Sequence, residues 1–237
     1  MTREKRKNMK PEDRRNQLLD CAYELFFTKG FEDTTMADIL ASSGVSKGGF
    51  YHHFESKDEL VFGIFVRMTT QIAAAMQTIV DDTSKSAVDR LQAIYDLQAQ
   101  AISAMGPEAV IYTHGALTQV ANLGLQALLH RTIAQASMPF LTQLIEDGKT
   151  SDEFSVEDAK TTATFITFIN NSYDGPLFAA LEARGSDQED TAKRALFAAY
   201  EIQFDTINLC LGLSKGTIKH NWSEFVDALL AVPRTKR

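Results

Sequence analysis

Residues 34–54 read Thr-Thr-Met-Ala-Asp-Ile-Leu-Ala-Ser-Ser-Gly-Val-Ser-Lys-Gly-Gly-Phe-Tyr-His-His-Phe, two short helical patterns hinged at one glycine. Thr35 and Asp38 have the three-residue spacing of a reciprocal helix cap, and Met36, Ile39 and Leu40 then fall on one apolar face. Gly44 permits the tight turn, Val45 plugs the angle, and Ser46 caps a second short helix that Phe50 and Phe54 anchor from below. The pattern predicts a helix-turn-helix. Ser46, Lys47, Gly48 and Gly49 open its second helix, where small side chains permit close approach to a major groove and free N–H groups suit phosphate.

The flanking sequence is helical throughout, without an alternating strand pattern. A first helix starts at Pro11, favoured at its positive end by Glu12 and Asp13; Leu18, Cys21, Ala22, Leu25 and Phe26 form its apolar stripe, and Lys29-Gly30 ends it. Ser56 with Glu59 caps a long helix to about Val80. Beyond Asp81-Asp82-Thr83-Ser84, patterns at about 86–104, 107–114, 116–148, 156–183, 188–213 and 222–231 are separated by Gly, Pro and Ser. Ser155 with Asp158 is the expected cap of the fourth of these, and Gly175-Pro176 predicts a kink or break inside it. The expected class is all-α: a basic arm (1–10), a three-helix helix-turn-helix domain (11–56), and a larger helical body (57–237) entered through a connecting helix (57–80).

Charge sharpens this division. Residues 1–15 carry seven basic side chains against three acidic ones, a local charge of +4, while the whole chain of 237 residues has a net charge of −7. Contact with a polyanion therefore belongs at the N-terminal end. No apolar run approaches the roughly 18 residues needed to cross a bilayer, and the first residues lack the apolar stretch of a signal peptide, so a cytoplasmic protein is expected, without membrane contact. Cys21 and Cys210 sit in apolar helical patterns and read as reduced core thiols.

Catalytic and metal readings of the same residues fail on context. Gly44-Val45-Ser46-Lys47-Gly48 matches the hydrolase G-x-S-x-G pattern, but that motif needs a preceding strand. His52 and His53 diverge by about 100° on a helix and lack a spaced partner ligand. We assign no catalytic residue, metal or cofactor.

The string Leu18, Ala22, Leu25, Phe26, Gly30-Phe31, Thr34-Thr35, Ile39, Gly44 to Gly48, Tyr51 to Phe54 and Ser56 to Leu60 resembles the TetR family of bacterial regulators. The resemblance implies that Thr35, Tyr51, His52 and Lys57 touch phosphates, that Ser46, Lys47, Gly48 and Gly49 lie against base edges or the adjoining backbone, and that the last two long helices pair with a second subunit. It implies a homodimeric repressor on a palindromic duplex operator, released by a small effector. Gly49 stands where the family usually has a small hydroxyl or alanine side chain, and Ala37 where a basic residue is common, so the operator is not transferable from relatives.

Within the body, Tyr112, His114, Gln119, Asn171, Tyr173 and Asp174 are polar side chains in apolar stretches, the candidate contacts of a mostly apolar effector. His53 is expected to be solvated. Stripes at Ala159, Ala163, Ile166, Asn170 and Tyr173, and at Ala195, Ala199, Ile202, Thr206 and Leu209, suit close helix packing across a twofold axis or within one chain. The alternative is a body that is a protein-interaction module without a small-molecule effector.

Overall fold

The computed structural model describes residues 10–29, 33–117, 123–170 and 174–233. Among these it contains eleven helices and no strand: α1 (Pro11–Lys29), α2 (Met36–Ser43), α3 (Lys47–Tyr51), α4 (Lys57–Asp81), α5 (Ala87–Met105), α6 (Pro107–Leu117), α7 (Leu123–Thr150), α8 (Ala159–Asn170), α9 (Asp174–Ala183), α10 (Glu189–Cys210) and α11 (Ser223–Ala231). The chain forms two compact units, Met1–Arg67 and Met68–Arg237, and the division falls within α4. We call them the head and the body. The basic arm expected at 1–10 lies outside the described residues except Lys10.

Leu18, Leu19, Ala22, Ile39, Phe50, Phe54 and Leu60 are almost wholly removed from solvent and fill the head. A methyl on Gly63 would meet Leu19 at 2.9 Å and Phe54 at 3.0 Å, so the bare backbone of α4 is what lets this core close. Arg67 pairs with Asp20 at 2.7 Å and ties α4 to α1.

The body's main core joins Met76 and Val80 of α4, Leu91, Ile94 and Tyr95 of α5, Phe140, Leu144 and Ile145 of α7, Ala163 and Ile166 of α8, and Phe204 and Ile207 of α10. A second cluster packs Ala180 of α9 against Leu196 and Tyr200 of α10 and Val226 and Leu230 of α11. Buried polar groups staple distant segments. Glu153 accepts the Ala87 and Val88 N–H groups at 3.0 and 3.1 Å, adding to the Ser86 cap on α5. Arg90, 4% exposed, donates to the Val80 carbonyl at 2.6 Å and to Asp147 at 2.8 Å. Asn208, fully buried, donates to the carbonyls of Phe204 and Ile218 and accepts the Ile218 N–H.

Several sequence expectations change. Asp158, not Ser155, caps α8, accepting the Thr161 N–H at 2.7 Å, while the Ser155 N–H donates to the Leu211 carbonyl. Within the pattern over 156–183, α8 and α9 lie on either side of residues 171–173, which fall outside the described residues, and Gly175-Pro176 lies in α9. α4, contrary to the reading of apolar runs, is long and apolar enough by length and composition to cross a bilayer, with mean hydropathy 1.3 over 18 residues. Leu60, Val61 and Ile64 near one end and Met76 and Val80 near the other are instead buried against protein.

Candidate DNA-binding site

The helix-turn-helix forms as its sequence predicts. Thr35 has extended backbone dihedrals, φ −88° and ψ 161°, and closes the reciprocal cap on α2. Its hydroxyl accepts the Asp38 N–H at 3.2 Å and donates to the Asp38 carboxylate at 2.6 Å, while its own N–H donates to that carboxylate at 2.7 Å. Lys29, the last residue of α1, pairs with the same oxygen at 2.7 Å. The Lys29 ammonium, followed by the two Thr35 donors, holds the Asp38 carboxyl far below its ordinary range. α2 ends at Gly44, whose φ of 63° is the left-handed conformation that favours glycine.

Ser46 then caps α3, accepting the Gly49 N–H at 3.1 Å. Val45, Phe50 and Phe54 turn inward with 8%, 0% and 1% exposure, which leaves Ser46, Lys47, Gly48, Tyr51 and His52 on the surface. The two glycines differ. A methyl on Gly48 would meet nothing within 4 Å, whereas one on Gly49 would press Val45 at 3.0 Å and the Ser46 hydroxyl at 3.2 Å. Gly48 thus opens the outer surface of α3, and Gly49 lets its inner side sit close to the turn.

Lys57, half-buried at the start of α4, donates to the Thr34 carbonyl at 2.8 Å and thereby links α4 to the entry of α2. The Thr35 hydroxyl proton is given to Asp38. His53, expected to be solvated, is half-buried beside His52, with ring centroids 5.1 Å apart. Sequence reasoning passed over Asp38 as an anchor for Lys29 because the two are joined only when α1 and α2 pack.

The candidate effector contacts are less assembled. The His114 ring, on α6, lies 5.9 Å from that of Phe178 of α9, tilted by 44°. Tyr112 lies on α6 and Asp174 begins α9. Gln119, Asn171 and Tyr173 fall outside the described residues. A polar chain not singled out from sequence runs through the body core: Tyr95 and Asn170 are hydrogen-bonded at 3.3 Å, and Gln203 donates to Asn170 at 3.4 Å. Its residues come from α5, α8 and α10, a convergence no local pattern carries.

Residues 18–64 match the family model described as bacterial regulatory proteins, tetR family. The HTH-type transcriptional repressor KstR2 of Mycobacterium tuberculosis is 30% identical over 146 residues, covering 61% of this chain and 72% of that protein. The HTH-type transcriptional regulator UidR of Escherichia coli is 28% identical over 188 residues, covering 78% and 87%. Among solved structures, a transcriptional regulator from Cytophaga hutchinsonii shares the fold with TM-score 0.57 at 16% identity, over 83% of this chain and 96% of that one. FadR from Bacillus subtilis, solved in complex with stearoyl-CoA, does so with TM-score 0.52 at 18% identity, over 78% and 96%. The capped helix-turn-helix, the all-helical body and these likenesses agree: the chain belongs to the tetR family of bacterial regulatory proteins and is a DNA-binding transcriptional regulator.

Proposed function

We propose that the chain is a cytoplasmic repressor that binds a palindromic duplex operator as a homodimer and is released by a small, mostly apolar effector held in the body. The observation that carries the dimer is an exposed apolar face on α8 and α10: Phe165 is 59% exposed, Phe168 74%, Ile202 68% and Leu209 76%. Soluble monomers rarely expose several large apolar side chains on adjoining helices. Two such helix pairs facing each other across a twofold axis bury all of them, and a symmetric contact of this kind is self-complementary. The dimer then presents two copies of α3 to major grooves about 34–36 Å apart.

In this reading Ser46, Lys47, Gly48 and Gly49 face base edges or the adjoining backbone, and Tyr51, His52 and Lys57 meet phosphates. Thr35 acts through the α2 cap rather than by donating its hydroxyl. The effector reading is supported by the Tyr95, Asn170 and Gln203 chain, in which the Gln203 side-chain oxygen is buried without a hydrogen-bond partner, and by FadR from Bacillus subtilis, whose solved complex holds stearoyl-CoA. An effector that binds the DNA-incompatible conformation more tightly displaces the operator, and only that difference in affinity is available to do it. α4 contributes to both cores, which makes it the covalent route for that change.

The test is selection of bound duplexes from a random library by the purified protein, in parallel with the Lys47→Ala/Tyr51→Ala variant and with sedimentation of both. The expected outcome is an enriched palindrome, lost in the variant, with a dimer in each case. A folded wild-type protein that enriches no sequence defeats the operator reading. A monomer that enriches an undivided site leaves the apolar face to a different protein and favours an interaction module.

A further inference from the structure

Tyr95, Asn170 and Gln203 meet inside the body, but they are joined loosely. The Tyr95 hydroxyl donates to the Asn170 side-chain oxygen at 3.4 Å, the Asn170 amide donates back to that hydroxyl at 3.3 Å, and the Gln203 amide donates to the Asn170 oxygen at 3.4 Å. Each is longer than the roughly 2.7–3.2 Å of a well-made hydrogen bond. Gln203 is only 8% exposed, and among the described residues its side-chain oxygen meets no donor. A buried amide oxygen left this way costs stability that an apolar side chain of the same shape would not. The surroundings are apolar: the Phe204 ring lies 4.8 Å from that of Tyr95, and Ile94, Ile166 and Ile207 are buried in the same core. The three helices bring no spare cation inward. Arg90, the one basic residue of α5, is held by Asp147 and the Val80 carbonyl; Lys160 of α8 and Arg194 of α10 are exposed, and Lys193 pairs with Asp227. His220, with its ring 5.7 Å from that of Phe204, faces Glu201 at 3.3 Å.

We propose that Tyr95, Asn170 and Gln203 are the recognition end of the effector site, and that they select an uncharged, mostly apolar molecule with a hydroxyl group that donates to the Gln203 side-chain oxygen. The proposal rests on the effector reading above and adds the chemistry of the group that the site takes. The reason lies in the donor and acceptor inventory. A hydroxyl supplies the missing donor, and its own oxygen accepts from the Asn170 amide or the Tyr95 hydroxyl, whose present contacts are long. An ether accepts but cannot donate, so the Gln203 oxygen stays unmet. An ionised carboxylate also brings acceptors only, and it enters an apolar core in which no cation is free to receive it. An ammonium brings donors, but it sheds its hydration for neutral oxygens alone. The hydroxyl is both donor and acceptor in one atom and carries no charge. Because its partners stand on α5, α8 and α10, its arrival also tightens three helices that the free chain joins by weak contacts.

The measurement is calorimetric titration of the full chain near neutral pH with two matched sets of probes: naphthol, methoxynaphthalene and naphthoate on a flat ring scaffold, and decanol, decyl methyl ether and decanoate on a chain. On the scaffold that fits, the alcohol is expected to bind roughly tenfold or more tighter than its ether and roughly a hundredfold tighter than its carboxylate. Gln203→Met keeps the length of the side chain and removes both polar ends. It is expected to bring the alcohol within about threefold of the ether, while the ligand-free variant melts no lower than wild type. An ether that binds as tightly as its alcohol, or a carboxylate that binds better, overturns the proposal, and this ranking in wild type needs no variant to fold. A Gln203→Met variant that keeps the full preference for the alcohol overturns it as well, because the hydroxyl would then be met elsewhere. Those outcomes leave an effector site of different chemistry in place. Failure of the effector reading itself looks different: none of the six probes would bind wild type, which overturns both and leaves the Gln203 oxygen to a trapped water.

Discussion

The head and the body are both helical, but the body adds polar staples of a reach the head lacks. In the head α2, α3 and α4 are each closed by a hydroxyl three residues away, Thr35 with Asp38, Ser46 with Gly49, and Ser56 with the Glu59 N–H at 3.0 Å, beside the Lys57 and Arg67 ties. In the body the decisive polar contacts cross the sequence. Glu153 reaches Ala87 and Val88, Arg90 reaches Asp147, and Gln92 exchanges hydrogen bonds with Lys219 at 2.9 and 3.0 Å. A surface that must present the same backbone to DNA gains from local closure, because each cap fixes its own helix end. A domain that must rearrange around a ligand gains from long-range staples whose breaking moves whole helices.

The largest expected effect lies on the exposed face of the body. Leu209→Glu places one carboxylate per subunit in the proposed contact, where burying it unpaired costs several kcal/mol. The expected result is a folded monomer by sedimentation, with operator affinity down 100-fold or more. A dimer that survives Leu209→Glu and also Phe168→Glu breaks the assignment of this face. Next comes the interior. Asn208→Ala removes both sides of the bonds to Ile218 and the donor to Phe204, and urea unfolding should register a loss of about 3 kcal/mol. A loss below about 1 kcal/mol would mean that the 211–218 segment is held by Leu211 and Ile218 packing alone.

This contrast decides what was legible in the sequence. Thr35, Gly44, Ser46 and Ser56 announce their roles within four residues, so the head and its presented surface follow from pattern and turn chemistry. α8 and α10 have equally regular small-residue stripes, yet Ala159, Ala163 and Ile166 turn into the chain's own core while Ile202 and Leu209 stay outside. The outward face of α8 is Phe165 and Phe168 instead. Periodicity identifies a face but not what covers it. The Tyr95, Asn170 and Gln203 chain was invisible for a related reason, since its members meet only after three helices pack. Among the residues put forward for the effector, His114 alone has a described ring contact.

Within the head, Thr35 separates two roles that sequence resemblance merges. Thr35→Ala should cost about 1 kcal/mol of stability through the lost cap, with weaker DNA binding as α2 frays. Thr35→Asp can still accept the Asp38 N–H but loses the donor to the Asp38 carboxylate and sets a second negative charge beside it, so it should also be less stable than wild type. If that variant, held below its melting temperature, still binds DNA within about threefold, Thr35 stands apart from phosphate. A hundredfold loss from a folded Thr35→Asp, well beyond that from Thr35→Ala, would put its side chain against the DNA backbone after all.

The smallest effect is the most local, and it turns on the two adjacent glycines of α3. Alanine at either position removes backbone freedom from the unfolded chain and favours the helix by about 1 kcal/mol. At Gly48 a methyl has open space, so Gly48→Ala should raise thermal stability by nearly that amount while filling the surface meant for DNA. At Gly49 the methyl meets Val45 at 3.0 Å and the Ser46 hydroxyl at 3.2 Å, and those groups must give by a few tenths of an ångström. Gly49→Ala should therefore gain less than Gly48→Ala, or lose slightly, with less effect on DNA affinity. The opposite order in a thermal melt would show that Val45 yields freely, and the turn would then owe its geometry to Gly44 and the Ser46 cap rather than to close packing at Gly49.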